Sequence, residues 1–190
     1  MSIARCVERA LKALDRGDFE DAFLQASVAV AATARKEHQS LGGDQLCYRK
    51  FIRENIDLIT LVSLGSTLQG ISLRYAHSDL KDTPDGTHSL DELLYVVVRC
   101  CLVHEAGLPA GFTVVQERMF ATGATPGEVT ISSKLVLGMA VAVTASPVNA
   151  DEELSGESSV ELNGKRVALR ELRGRRIELR RRLGLSAAPD

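Results

Sequence analysis

The chain has 190 residues, which suits one domain with or without a small appendage. Hydrophobic residues make up 45% of it and aromatic residues only 4%, with no Trp, so the core must consist mainly of Leu, Val, Ile and Ala. No apolar run approaches the roughly 20 residues that a membrane span requires, and the N-terminus lacks the apolar segment of a signal peptide. We therefore expect a cytoplasmic protein without a membrane partner. The four cysteines lack the spacing of a disulfide framework, which favours reduced thiols.

The net charge of −2 is unevenly distributed along the chain. Residues 165–182 contain nine of the 23 Lys and Arg residues and only two acids. Such asymmetry is typical of an anion-binding surface, so a nucleic-acid binder that works through this basic segment is one hypothesis. We favour the alternative of a solvated, Arg-rich helix whose charge complements its own dipole.

The N-terminal part of the sequence predicts three helices separated by glycine-containing breaks. Apolar residues at intervals of three and four predict a helix over residues 2–15. A stripe of small residues predicts a second, central helix over residues 19–38, and a third helix runs from residue 44 to about 64. The alternating stretch Ile71–Tyr75 then favours a short strand.

An amphipathic helix follows, and it contains the most informative residues of the chain. Ser89–Glu92 has the pattern of a capping box, in which the two side chains satisfy each other's backbone amides. Arg99 and His104 lie near the end of this helix. Gly107 and Pro109 follow at once and should terminate it.

Arg99 and His104 suit phosphate chemistry without a metal. The guanidinium can hold a phosphate oxygen and stabilise developing charge, and the imidazole can move a proton to or from a ribose hydroxyl. At about 100° per residue, five residues set the two Cα vectors about 140° apart. The side chains converge only if the helix ends near His104 or if a second copy faces the first across a dimer axis. A purely structural role for both residues is the alternative.

Other polar side chains flank this pair. Tyr95 lies four residues before Arg99 and can stack on a base, brace the guanidinium or pack at the margin of the core. Glu105 can tune His104 or simply finish the helix. The third helix contains a basic turn that can guide an RNA backbone or form a solvated face: Arg49, Lys50 and Arg53.

A metal or cofactor site is not expected. Cys100 and His104 share a helical face, but a zinc site usually needs three or four ligands. His77 and His88 lack ligand-like spacing relative to them. Cys100 and Cys101 are better explained as small core residues.

After Pro109 the hydrophobic pattern changes period. The predicted elements are two strands joined by a loop, a short helix, a hairpin and a basic helix: residues 112–116, 128–131, 134–144, 160–167 and 169–183. We therefore expect a mainly α protein, with a helical bundle over residues 1–109. A small strand-containing α+β extension with a basic C-terminal helix covers residues 110–190 and packs on the bundle as one unit.

The stretch Leu94–Glu105 resembles the signature helix of HEPN domains (higher eukaryotes and prokaryotes nucleotide-binding). The mark of these domains is an Arg, four to six residues, then a His, late in a helix. Three further stretches resemble an uncharacterised bacterial group of similar length: Glu8–Leu14, Ala29–Arg35 and Tyr48–Ile52. The resemblance covers residues 2–109 and implies an all-helical, up-and-down bundle.

The resemblance also implies metal-independent RNA cleavage at a composite site between two protomers of a homodimer. Arg99 would bind the scissile phosphate, and His104 would act in proton transfer while a 2′-hydroxyl attacks. Many HEPN proteins are toxins of toxin–antitoxin systems or defence effectors, which implies a cognate inhibitor or effector protein as partner. Cys100 departs from the polar residue, often Asn, that usually follows the Arg. The alternative is a non-catalytic module that binds a protein or nucleotide, in which Arg99 and His104 are structural.

Overall fold

Within the residues that the structure describes, helices predominate and short strands form three small sheets, so the fold is a helix-dominated α+β arrangement. The computed structural model describes residues 2–81, 83–123, 127–155, 158–162 and 164–186. The α-helices are Ile3–Asp15 (α1), Phe19–Glu37 (α2), Asp44–Leu64 (α3), Leu90–Leu93 (α4), Cys101–His104 (α5), Leu135–Ala145 (α6), Leu169–Leu172 (α7) and Arg176–Arg182 (α8). A π-helical segment, Leu94–Cys100, joins α4 to α5 without a break. Residues 90–104 therefore form one continuous helix, here called the motif helix.

Each sheet is small. The strands are Ser72–Arg74 (β1), Thr87–Ser89 (β2), Phe112–Val115 (β3), Phe120–Thr122 (β4), Val129–Ser132 (β5), Ser159–Leu162 (β6) and Lys165–Ala168 (β7). β1 pairs with β2 and β6 with β7, both antiparallel. The turn between β6 and β7 includes Asn163, which lies outside the described residues.

The central sheet differs from the two-strand unit predicted from the sequence. β3 pairs with β5 in parallel, and β4 pairs with the other edge of β5 in an antiparallel direction. A parallel pair needs a crossover connection, and the segment that contains β4 supplies it. The prediction missed β4 because its three residues are too few to show an alternating pattern.

α6 lies at the centre of the helical core. All its residues except Leu137 are buried, and the helix packs against α1, α2 and α3. A Cβ atom at Gly138 would lie 2.3 Å from the carbonyl oxygen of Ile59, so the glycine allows the backbones of α6 and α3 to approach closely. The central position predicted for α2 is thus shared with α6. No helix in the described part of the chain is both long and apolar enough to cross a membrane.

The single basic helix predicted for residues 169–183 is wrong, because the chain breaks between α7 and α8. Gly174 adopts a φ of +70° and donates its N–H to the carbonyl of Thr144. Ala150 leaves no room for a side chain there, since its Cβ would lie 2.9 Å from a Cβ at Gly174. Beyond the break, the Arg180 guanidinium forms a bidentate, buried ion pair with Asp57 of α3. This pair fixes the C-terminal helix to the core.

Candidate active site

Asp91 fixes the start of the motif helix against α3. The residue is only 5% exposed, and its carboxylate accepts hydrogen bonds from Nε of Arg49 at 2.7 Å and from Nε of Arg53 at 3.0 Å. Burial by itself would raise the pKa of Asp91, but hydrogen bonds from Arg53, Arg49 and Ser89 hold that pKa below its usual range. Asp91 is therefore ionised at neutral pH and ties the motif helix to α3.

The capping box predicted for Ser89 and Glu92 does not form. Ser89 occupies the N-cap position, but its side chain makes no capping hydrogen bond; it instead helps to lower the pKa of Asp91. Glu92 Oε1 lies 3.6 Å from Nη1 of Arg49, and Oε2 lies 3.6 Å from Nδ1 of His88. Glu92 thus lies against side chains of α3 and β2, in contrast to the backbone amide that a capping box would use.

The basic turn of α3 is paired with acids. In addition to the bonds of Arg49 and Arg53 to Asp91, Nζ of Lys50 lies 3.4 Å from the Glu54 carboxylate. The Arg49 side chain is 20% exposed, whereas those of Lys50 and Arg53 are 45% and 59% exposed. Lys50 and Arg53 therefore keep the most surface for a ligand.

The middle of the motif helix is a π-helix rather than the regular α-helix that the sequence predicts. The β-branched run Val96–Val98 has a reduced preference for the α-helix. Arg99 lies in this π-helical segment, whereas His104 ends the α-helical segment Cys101–His104, so the offset of about 140° expected between them refers to a stretch that is only partly α-helical. π-Helical segments are rare and occur frequently at functional sites.

Arg99 lies in this π-helical segment, and its guanidinium is stacked on an aromatic side chain. The guanidinium carbon is 5.1 Å from the centroid of the Tyr95 ring. The Tyr95 ring packs edge-on against the Tyr48 ring, with centroids 5.4 Å apart, and the Tyr48 hydroxyl donates to Oγ of Ser27 at 3.3 Å. Burial raises the pKa of both tyrosines, so both rings are neutral at physiological pH. Tyr95 therefore contacts the Arg99 guanidinium and also packs at the margin of the core.

The Arg99 side chain has no acidic partner among the described residues, where no hydrogen bond or ion pair involves its guanidinium. Arg99 is half-buried. By contrast, Arg176 and Arg180 form ion pairs with Glu37 and Asp57, respectively. Arg99 therefore keeps its guanidinium donors available for an anion.

His104 is the last residue of α5 and is exposed, as is the following Glu105. The chain turns at Ala106, which has a φ of +56°. The N–H of Leu108 donates to the Glu20 carboxylate at 3.2 Å, which holds the loop against the start of α2. The His104 imidazole therefore faces solvent at the end of the motif helix.

The two adjacent cysteines have different surroundings. Cys100 is half-exposed, whereas Cys101 is buried, with its Sγ 3.8 Å from Nε2 of His77. Burial raises the pKa of Cys101 to about 11, so its thiol is protonated at neutral pH. The cluster of potential metal ligands found in the described part of the chain lies elsewhere, at Glu37, His38 and Glu54.

The sequence analysis did not predict the cluster of Glu37, His38 and Glu54 or the role of Asp91. Asp91 meets Arg49 across 42 positions, and no local pattern reports such a contact. The adjacent pair Glu37–His38 at the end of α2 was the one local signal for the cluster.

A cavity of about 540 Å³ lies between α3 and the start of the motif helix. It adjoins Asp91, at the opposite end of the motif helix from His104. Its lining combines apolar and charged side chains, among them Ile52, Arg53, Glu54, Ile71, Leu90 and Asp91. The Arg99–His104 site is thus separate from this cavity.

Comparison with known proteins identifies a family for the chain. The sequence model of the Rv1289 family matches residues 2–188, and the chain belongs to this family. The match includes both the N-terminal helices and the strand-containing part. No curated protein and no solved structure matches the chain.

Proposed function

We propose that this protein is a metal-independent endoribonuclease or RNA-binding protein of HEPN type. Its working form is a cytoplasmic homodimer whose N-terminal helices form an up-and-down bundle. The observation that carries the proposal is the state of Arg99. Its guanidinium is held over the Tyr95 ring, without an acidic partner in the described residues, five positions before an exposed His104.

A braced guanidinium without an acidic partner in the described part of the chain is suited to a phosphate. Arginine presents its N–H donors in a rigid fork that matches two phosphate oxygens. The stack on Tyr95 limits the conformations of Arg99 before a ligand binds, which lowers the entropy that binding costs. Arg176 and Arg180 cannot serve in this way, because Glu37 and Asp57 already bind them.

The proposed reaction needs two proton transfers and one stabilised phosphorane. Arg99 binds a non-bridging oxygen of the scissile phosphate and stabilises the charge that develops on it. One His104 accepts the proton of the 2′-hydroxyl as its oxygen attacks phosphorus. The His104 of the second protomer donates a proton to the 5′-oxygen as the phosphorus–oxygen bond breaks. The products are a 2′,3′-cyclic phosphate and a 5′-hydroxyl.

In the proposed homodimer, the second protomer supplies the second His104. The Arg99–His104 pairs of the two protomers then complete one site at the dimer axis. Val103, adjacent to His104, is 45% exposed although it is hydrophobic. A symmetric contact between two motif helices would cover it and bring two Arg99–His104 pairs together.

The test is incubation of the purified protein with total RNA in excess chelator. Wild type should cleave, and Arg99→Ala and His104→Ala should lose about 100-fold or more in rate, since each removes a group that acts in the transition state. Arg5→Ala, which removes an exposed arginine of α1, is the matched control and should cleave like wild type. Binding of RNA without cleavage by folded, dimeric wild type would favour the non-catalytic module instead.

A further inference from the structure

A cluster of three side chains outside the Arg99–His104 site has the composition of a metal centre. Glu37 and His38 lie at the end of α2, and Glu54 lies in the middle of α3. One ligand atom from each lies within 4.8 Å of the other two. Their side chains are only 7%, 10% and 17% exposed, respectively.

The imidazole nitrogen at the centre of this cluster has no hydrogen-bond partner among the described residues. Nε2 of His38 is buried, 3.2 Å from Oε2 of Glu54 and 4.0 Å from Oε2 of Glu37. The orientation of the His38 ring does not give a hydrogen bond to either carboxylate. A buried polar atom without a partner is costly, and a cation placed between the three atoms would satisfy all of them.

Neighbouring side chains also contact both carboxylates of the cluster. Oε1 of Glu37 accepts a hydrogen bond from Oγ of Ser146, and Nη1 of Arg176 contacts both Glu37 oxygens at 2.9 and 3.1 Å. Nζ of Lys50 lies 3.4 Å from Oε1 of Glu54. Such outer contacts fix the orientation of metal ligands in proteins. They leave Oε2 of Glu54 and Nε2 of His38 directed towards each other.

We propose that Glu37, His38 and Glu54 bind a divalent transition-metal ion. Metal–ligand distances of 2.0–2.2 Å for imidazole nitrogen and carboxylate oxygen require ligand atoms about 3–4 Å apart, which is the spacing seen around His38. One nitrogen and two oxygens suit Zn²⁺ or another first-row ion, with a further position open to water. Because the ligands come from α2 and α3, the ion would join these helices. Glu54 also lines the 540 Å³ cavity, which gives the site a route to solvent.

The test is a Co²⁺ titration of the reduced, chelator-treated full-length protein, followed by visible spectroscopy and then by displacement with Zn²⁺. The proposal predicts one equivalent of Co²⁺ with d–d bands and no thiolate charge-transfer band. Glu54→Gln preserves the side-chain size and should weaken Co²⁺ binding tenfold or more, as should His38→Ala. His77→Ala, which changes a histidine beside Cys101, is the matched control and should bind like wild type.

Thermal unfolding gives a second readout that does not depend on spectroscopy. Zn²⁺ should raise the Tm of wild type and of His77→Ala but not of Glu54→Gln, because only a ligand that binds the native state stabilises it. Circular dichroism of each variant without metal establishes that it is folded. Three results would overturn the proposal: no saturable uptake, a thiolate band, or unchanged affinity in folded Glu54→Gln. Each would mean that the cluster is an ion-pair network only.

Discussion

The centre of the Arg99 guanidinium lies 5.1 Å from the centroid of the Tyr95 ring. Tyr95 in turn packs against Tyr48, which is fully buried. The cation is thus positioned by a ring that is itself fixed by the core. In the proposed mechanism this positioning prepares Arg99 for a phosphate, so Tyr95 matters to function without contacting the reacting atoms.

Replacing Tyr95 with Leu should weaken RNA binding about fivefold, because it removes a cation–π contact of about 1 kcal/mol. Tyr95→Phe retains the ring and should bind like wild type. Fluorescence anisotropy with a labelled RNA at fixed salt measures the difference. Equal affinity of the Leu and Phe variants would show that the ring does not position Arg99.

Replacing Val103 with Glu should convert the proposed homodimer to a monomer and abolish RNA cleavage, since it places a charge in the proposed contact. Light scattering coupled to size-exclusion chromatography measures the mass. Ile177→Glu is the control, because Ile177 is a more exposed hydrophobic residue, at 78%, on α8. A Val103→Glu variant that remains dimeric would mean that the motif helices do not form the interface.

Replacing Asp91 with Asn should lower the free energy of unfolding by about 2 kcal/mol at pH 7, because the bonds from Arg49 and Arg53 lose their charged acceptor. The pKa of Asp91 is lowered in the folded state. Its contribution is therefore full above the unfolded pKa of about 4 and is lost as pH falls through the folded pKa. Urea unfolding of both proteins at pH 7 and pH 3 should show a smaller difference at pH 3. A difference that does not change with pH would contradict this account.

Replacing Arg180 with Met should destabilise the protein by about 3–5 kcal/mol, because it leaves the buried Asp57 carboxylate without its ion-pair partner. The double variant Asp57→Leu, Arg180→Met removes both charges and should recover part of that loss. Urea unfolding measures both free energies. If the double variant is less stable than the single variant Arg180→Met, the Arg180–Asp57 ion pair is not the main link between α8 and α3.

Local sequence patterns predicted the first and last residues of α1, α2 and α3 to within two positions. The breaks between α1, α2 and α3 follow from glycines and polar residues, and apolar periodicity gives their lengths. The π-helical segment could not be predicted in this way. A run such as Val96–Val98 lowers the preference for α-helix, but it does not specify a different hydrogen-bond pattern.

Contacts between residues far apart in the chain also could not be predicted from local sequence patterns. Arg180 meets Asp57 across 123 positions, and the break at Gly174 depends on its contact with Ala150. Arg99 and His104 were predicted as site residues from their chemistry, their spacing and the resemblance to HEPN domains. The sequence offered Tyr95 as a brace for Arg99, but the packing of Tyr95 on Tyr48 came only from the structure.

The most direct test of the central claim is the chemistry of the RNA ends produced in excess chelator. The proposed mechanism predicts fragments with a 5′-hydroxyl and a 2′,3′-cyclic phosphate, formed by wild type but not by His104→Ala. Such fragments accept a 5′ label from polynucleotide kinase without prior phosphatase treatment. Fragments with a 5′-phosphate and a 3′-hydroxyl, or equal cleavage by His104→Ala, would contradict the roles assigned to Arg99 and His104.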